Sequence, residues 1–206
     1  GYESIVLEAN RIGFGASGRN GGQVGSGQRW DQEKLEMHFG FKQAQIFWNI
    51  AEEAKKEVYS RIKRHEIKCD YNPGVIQACI NRRDTLDSYD QADQLTEKYN
   101  YQNLRKLNHE GISEILDTDF YKGGYLDLGA GHLNPLKFVL GLGSAARTVG
   151  VKIYEKTKVT KIEYGKKNKL TTSAGAVVNS DYLLLAGNGY LGNLDKQTAS
   201  RVMPIN

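Results

Sequence analysis

Tyr2-Glu3-Ser4-Ile5-Val6-Leu7-Glu8 and, shortly after it, Gly13-Phe14-Gly15-Ala16-Ser17-Gly18-Arg19-Asn20-Gly21-Gly22-Gln23 decide how this chain is read. Ser-Ile-Val-Leu is a short apolar run of the kind that forms a buried strand, and it ends in an acid. In a Rossmann-type unit a carboxylate at that place accepts from both ribose hydroxyls of an adenine dinucleotide, which a neutral side chain does less strongly. It stands about 20 residues beyond a Gly-rich turn that cradles the pyrophosphate. Only seven residues precede Glu8, and none forms such a turn. The expectation is an internal fragment of a dinucleotide-binding protein, lacking its N-terminal Gly-x-Gly-x-x-Gly.

The second segment extends to Gly27 and holds seven glycines. Glycine lets backbone approach a planar or anionic ligand closely, and successive amides in such a loop make an anion-binding concavity. Ser17, Arg19 and Asn20 add donors. A flexible linker would be richer in serine and would lack the Ile12, Phe14 and Val24 anchors. Arg19-Asn20-Gly21-Gly22 also resembles an RNA-binding RGG element, but it has no run of aromatic stacking partners. Leu183-Leu184-Leu185-Ala186-Gly187-Asn188-Gly189 is a second place where an apolar run meets a glycine turn, and so a second source of amides for a pyrophosphate.

Composition is that of an ordinary globular protein, with 39% hydrophobic and 25% charged residues. The 28 basic and 24 acidic residues leave a net charge of +4, interspersed along the chain. The densest basic stretch, Lys166-Lys167-Asn168-Lys169, reads as a solvated turn, so no nucleic-acid partner is expected. Cys69 and Cys79 lack metal-ligand spacing, no His cluster accompanies them, and no metal site is expected. Flanking Tyr71-Asn72-Pro73-Gly74, they stand to face each other across a hairpin, though packing thiols are the plainer reading. His38, His65, His109 and His132 are scattered, and no catalytic residue is assigned. There is no signal peptide and no apolar run long enough to cross a bilayer, which points to the cytoplasm.

Periodicity predicts a strand at 5–7 and a helix over 31–65, with Leu35, Phe39, Ile46, Ile50, Ala54, Val58 and Ile62 on one face, widened by Phe47 and Trp48. Strands at 67–71 and 74–80 are expected to form a hairpin, followed by a helix at 84–99, a strand at 104–107, a short helix at 111–116 and a strand at 123–128. Asn134-Pro135 opens a helix that stops at Gly150. Strands follow at 151–155, 158–164, 169–173 and 176–178, then a buried strand at 181–186. The first and last segments read as parallel-sheet strands, and the middle as an inserted antiparallel layer. The predicted fold is mixed α/β, a partial Rossmann-like domain over 1–66 and 134–206 with a partial substrate domain over 67–133.

Together, Ile12-Gly13-Phe14-Gly15-Ala16-Ser17-Gly18-Arg19-Asn20-Gly21-Gly22-Gln23-Val24, Gly131-His132-Leu133-Asn134-Pro135, Gly150-Val151-Lys152-Ile153, Thr157-Lys158-Val159-Thr160-Lys161-Ile162 and Leu184-Leu185-Ala186-Gly187-Asn188-Gly189 resemble the FAD-dependent oxidoreductases of the D-amino-acid oxidase type. The likeness is greatest to the γ-glutamylputrescine oxidoreductase branch and covers nearly the whole chain. It implies FAD as cofactor, a small-molecule amine or amino acid as substrate, and hydride transfer to the flavin to give an imine that hydrolyses. It places Glu8 at the adenosine ribose, Arg11 beside the adenine, Ala16 and Ser17 at the pyrophosphate, and Ala9 among the cofactor-binding residues. Asn20, Gly21, Gly22 and Gln23 would approach the isoalloxazine, Val159 would meet adenine through its backbone, and Ala186, Gly187 and Asn188 would pass the pyrophosphate. Arg201-Val202-Met203-Pro204-Ile205 reads as the lead-in to a C-terminal part that the family uses to complete the cofactor domain and substrate pocket. The rival expectation is a truncated, non-catalytic remnant that binds no flavin. Incomplete sheet edges are expected to favour self-association.

Overall fold

Ile5–Leu7 is a strand, β1, as expected, but it is not buried: Ile5 and Val6 are exposed, because β1 belongs to a sheet of only two described strands. The computed structural model describes residues 2–202, so Met203, Pro204 and Ile205 lie outside the described residues. The chain divides into two compact units: one holds the residues up to Asn20 together with those from Val139 onward, and the other is Gly21–Phe138. The expected boundaries at 66 and 134 bracket a different division, since the helical stretch 31–65 falls with the antiparallel layer in the second unit.

The Gly21–Phe138 unit starts with a two-residue strand, β2 (Gln23–Val24). Two helices follow, α1 (Gln32–Phe39) and α2 (Phe41–Arg64), where periodicity predicts one. Gly40 separates them with φ 76° and ψ 157°, a conformation only glycine adopts without strain. The break resets the helical phase. Ala44, Trp48 and Ala51, at helical spacing, are the buried positions of α2, while the expected Phe39, Ile46 and Ile50 are exposed. Trp48 packs on Tyr99 and Tyr101, ring centroids 5.5 and 5.1 Å away.

The expected hairpin at 67–80 does not form. Asn72–Cys79 is one strand, β3, and 67–71 is not a strand. Pro73 lacks an N–H and Gly74 has φ 97°, which shifts the pairing register between Pro73 and Val75 instead of reversing the chain. Ile67 and Cys69 are buried nonetheless, and the Asn134 amide donates to the Cys69 carbonyl at 2.7 Å. Cys69 and Cys79 are both free and both buried.

Three further elements, α3 (Arg82–Tyr99), β4 (Leu104–Asn108) and α4 (His109–Leu116), lead to β5 (Gly123–His132). β5 is the spine of the unit. β3 runs antiparallel along it from Cys79–Gly123 to Asn72–His132, while β4 pairs with its first half and β2 with its last two residues. Gly131 and His132, read from sequence as an approach to the next helix, are therefore strand residues.

α5 (Pro135–Thr148) begins as predicted, with Asn134 Oδ1 accepting from the Lys137 amide at 3.0 Å. In the other unit, β6 (Lys152–Tyr154) pairs in parallel with β1, Ile5 opposite Lys152 and Leu7 opposite Tyr154. β7 (Val159–Glu163), β8 (Asn168–Thr172) and β9 (Val177–Ser180) form an antiparallel meander around buried Leu170 and Thr172. The strand predicted at 181–186 is absent: the segment is irregular, with Tyr182 77% and Leu184 87% exposed. An apolar run supplies a strand's side chains but not the ladder that makes one, and here no described strand pairs with it. Among the described residues no helix is long and apolar enough to cross a membrane.

Candidate functional site

Glu8 extends β1 past its last ladder pair. Its amide donates to the Tyr154 carbonyl at 2.9 Å, and its carbonyl accepts from the Thr157 amide at 2.8 Å. The side chain is half-buried, and Oε1 accepts from the Asn10 amide at 2.7 Å. A carboxylate has about four lone-pair positions, so this one bond leaves capacity for ribose hydroxyls. Ala9 and Arg11 follow on the exposed surface. Val159 opens β7 two residues beyond the Thr157 contact, so Glu8 and Val159 share one neighbourhood of this unit.

The loop after Arg11 is an ordered structure, not a linker. The Ile12 amide donates to Glu155 Oε1 at 2.8 Å, and the Phe14 amide returns to the Arg11 carbonyl at 3.0 Å. Ala16–Gly18 forms a single 3-10 turn whose first amides have no side-chain cap. Uncapped amides of this kind suit an anion. The Asn20 side-chain amide ties the turn off from below, donating to the Ala16 and Ser17 carbonyls at 2.9 and 3.2 Å. Arg19 lays its guanidinium over the Phe14 ring, 4.3 Å from the centroid.

Gly187 caps a second 3-10 turn, Asn188–Tyr190, and Asn188 takes a left-handed φ of 45°. The two turns meet. A Cβ at Gly15 would stand 3.4 Å from the Tyr190 ring, in ordinary van der Waals contact, so the two turns lie side by side. Tyr190 was not singled out from sequence, although it lies three residues after Gly187 in the same glycine-rich stretch. The first unit thus gathers Glu8, Ala9, Arg11, Ala16, Ser17, Asn20, Val159, Ala186, Gly187 and Asn188.

Gly21, Gly22 and Gln23 belong to the other unit. Gly22 is buried with φ 72°, its carbonyl accepts from the Leu133 amide at 3.0 Å, and a Cβ there would sit 2.0 Å from the Leu133 oxygen. Only glycine fits. Gln23 pairs across the ladder with His132.

Behind this segment lies a polar cluster that sequence periodicity did not reveal. Asp127 is 6% exposed on β5 and takes the Ser26 hydroxyl at 2.5 Å and the Tyr101 hydroxyl at 2.6 Å. Burial, and then the bond to Asp127, push the Tyr101 phenol well above its ordinary range. Lys55 reaches the same group from α2 and is paired with Glu52 at 2.8 Å. The signal available was an acid between Leu126 and Leu128 in a strand, and a lysine between Ala51 and Val58 on a helix.

A strand-terminal carboxylate, an uncapped glycine-rich turn and a second glycine turn against it are parts of the kind a dinucleotide site requires. Residues 1–206 match the family described as FAD dependent oxidoreductase. The chain belongs to this family. Its cofactor is FAD, and the fold is that of a partial Rossmann-like FAD domain with an antiparallel sheet. This FAD-dependent oxidoreductase chain is 35% identical over 205 residues to gamma-glutamylputrescine oxidoreductase of Escherichia coli K12, covering 99% of the chain and 48% of the relative. It is 36% identical over 207 residues to the probable oxidoreductase OrdL of Rhizobium meliloti, covering 100% and 48%. The chain therefore spans about half the length of the curated relatives it matches. In fold it is similar to glycine oxidase from Geobacillus kaustophilus, with a TM-score of 0.73 at 17% identity over 94% of this chain and 51% of that one. The FAD-bound L-alpha-glycerophosphate oxidase of Mycoplasma pneumoniae gives a TM-score of 0.67 at 15% identity, covering 93% and 50%.

Proposed function

We propose that this chain supplies the ribose-, pyrophosphate- and ring-facing parts of the cofactor site in an enzyme that oxidises an amine or amino acid, with a γ-glutamylputrescine-like compound as substrate. The observation that carries the reading is the meeting of the Gly15–Ser17 loop with the Gly187–Tyr190 turn in the unit that also presents Glu8 at a strand end. Glu8 holds the ribose, Arg11 borders the adenine, and Ala9 between them adds to the cofactor-binding surface. The amides at Ala16 and Ser17, with Ala186, Gly187 and Asn188, take the pyrophosphate. Val159 offers backbone to the adenine. Asn20, Gly21, Gly22 and Gln23 line the isoalloxazine side. All of these come from 1–66 and 134–206, and residues 67–133 are assigned to the substrate side.

When bound, the cofactor supplies a hydride acceptor for the amine-bearing carbon of the substrate, whose imine product hydrolyses in water. The chain's own part is to bind and orient. A second reading, a remnant that retains no flavin, draws on the exposure of Ile5, Val6 and Leu184 beside the two-stranded β1–β6 sheet. The reading places the protein in the cytoplasm, where its two free thiols stay reduced. An absorbance scan of the protein incubated with FAD and then desalted separates the two. Retained flavin bands support the cofactor site; a colourless protein supports the remnant.

A further inference from the structure

Ser26, Lys55, Tyr101 and Asp127 form one hydrogen-bonded circuit. An ammonium has three protons and no acceptor. Lys55, whose side chain is 9% exposed, donates to Ser26 Oγ at 2.5 Å and to the Tyr101 oxygen at 3.1 Å, and its ammonium stands 2.8 Å from Glu52 Oε1 as an ion pair. Each hydroxyl then has its single hydrogen left for Asp127, Ser26 to Oδ2 at 2.5 Å and Tyr101 to Oδ1 at 2.6 Å. The Gly129 and Ala130 amides complete Oδ1 at 2.9 and 3.2 Å. Ser26 Oγ and the Tyr101 oxygen also lie within hydrogen-bond distance of each other, at 2.8 Å. Lysine and aspartate are thus joined through two hydroxyls, in one donor direction.

Lys55 and Asp127 sit on regular elements, and Tyr101 in the short connection between α3 and β4. Ser26 alone is on the glycine loop, two residues after Val24 of β2. β2 contributes only two ladder pairs, which is little to fix a loop of that length. We propose that Asp127 is a positioning residue: acting through Ser26, and held in register by Lys55, it sets the conformation of the Gly21–Gln23 segment that faces the flavin ring. This rests on the cofactor reading given above. A charge-assisted bond from the Ser26 hydroxyl adds a side-chain anchor to the short ladder and to the Gly22 carbonyl–Leu133 amide bond. Removing either end leaves the other as a buried charge short of a partner.

The test uses Ser26→Ala, Asp127→Asn and the hydroxyl-retaining Ser26→Thr. Hydrogen–deuterium exchange without flavin should show amides in the Gly22–Ser26 stretch opening about tenfold faster in Ser26→Ala and Asp127→Asn, and restored in Ser26→Thr. The FAD dissociation constant should rise by about tenfold in the same two variants, with the fine structure of the 450 nm flavin band lost and then recovered in Ser26→Thr. Unchanged exchange at 22–26 with only a lowered melting temperature overturns the proposal and leaves the circuit as core packing. Altered exchange with unaltered flavin affinity and band shape overturns it too. Wild-type protein that takes up no FAD instead removes the cofactor reading, and the flavin-directed role with it, while the exchange data still report whether Ser26 couples to Asp127.

Discussion

Glu8 is the side chain on which the ribose assignment turns. Glu8→Ala removes an acceptor that two hydroxyls would otherwise share, so FAD affinity should fall by roughly 1–3 kcal/mol in a fluorescence titration. The same affinity in the variant would discard the assignment. Tyr99 offers a different single-residue test. Burial pushes its phenol up to about 12, with the Glu36 carboxylate accepting its O–H at 2.9 Å. A raised folded value means that the native state holds the proton more tightly than the unfolded one. The resulting stability is whole below the unfolded value near 10 and is lost as pH rises through about 12. Tyr101 acts in the same direction. Urea midpoints should therefore decline above pH 10, and Tyr99→Phe should flatten part of that decline; an unaltered slope would show that Tyr99 titrates alike in both states.

Among the elements, the α1–α2 break and the α5 start are the places where sequence dictates geometry most directly. Gly40→Ala has open space around the added methyl, so its cost is backbone strain alone, about 1–3 kcal/mol by urea denaturation. Asn134→Ala removes the bond to the Lys137 amide and should cost about 1 kcal/mol. Those two positions also show what a sequence can and cannot disclose. Asn134-Pro135 announced its helix because a cap and a proline are local signals. Gly40 did not announce its break, since one glycine in a periodic stretch is usually tolerated, and the stripe of Phe39, Ile46 and Ile50 was read on the wrong face as a result. Pro73-Gly74 is compatible with a turn or a bulge, and only the long partner β5 selects the bulge. The loop at 13–23 was legible because glycine density is a chemical fact about the chain. The Asp127 circuit was not, because its members are distant in sequence and meet only when α2, β5 and the end of α3 are packed.

For the molecule as a whole, the unit containing β1 leaves apolar side chains uncovered. Ile5 and Val6 are more than two-fifths exposed, and Leu184 is 87% exposed. Unpaired edges and apolar patches of this kind invite association. Light scattering should find concentration-dependent oligomers, and Leu184→Lys should shift them toward monomer; a monomer at all concentrations would show that these side chains find no partner in a second copy. The mixed α/β class and the antiparallel middle could be read from periodicity. The strand at 181–186 could not be judged that way, because pairing is a property of neighbours.

The two cysteines give the antiparallel unit a clock of its own. Cys69 is 1% exposed and Cys79 5%, and burial raises the Cys69 thiol further from its reactive anion. A thiol reagent therefore meets them only in conformations where the segment before β3, or β3 itself, has opened. The rate at which colour develops with such a reagent, compared at increasing urea, measures the free energy of that opening. If both thiols report one value, the segment that failed to become a strand is bound to the sheet as firmly as the strands themselves.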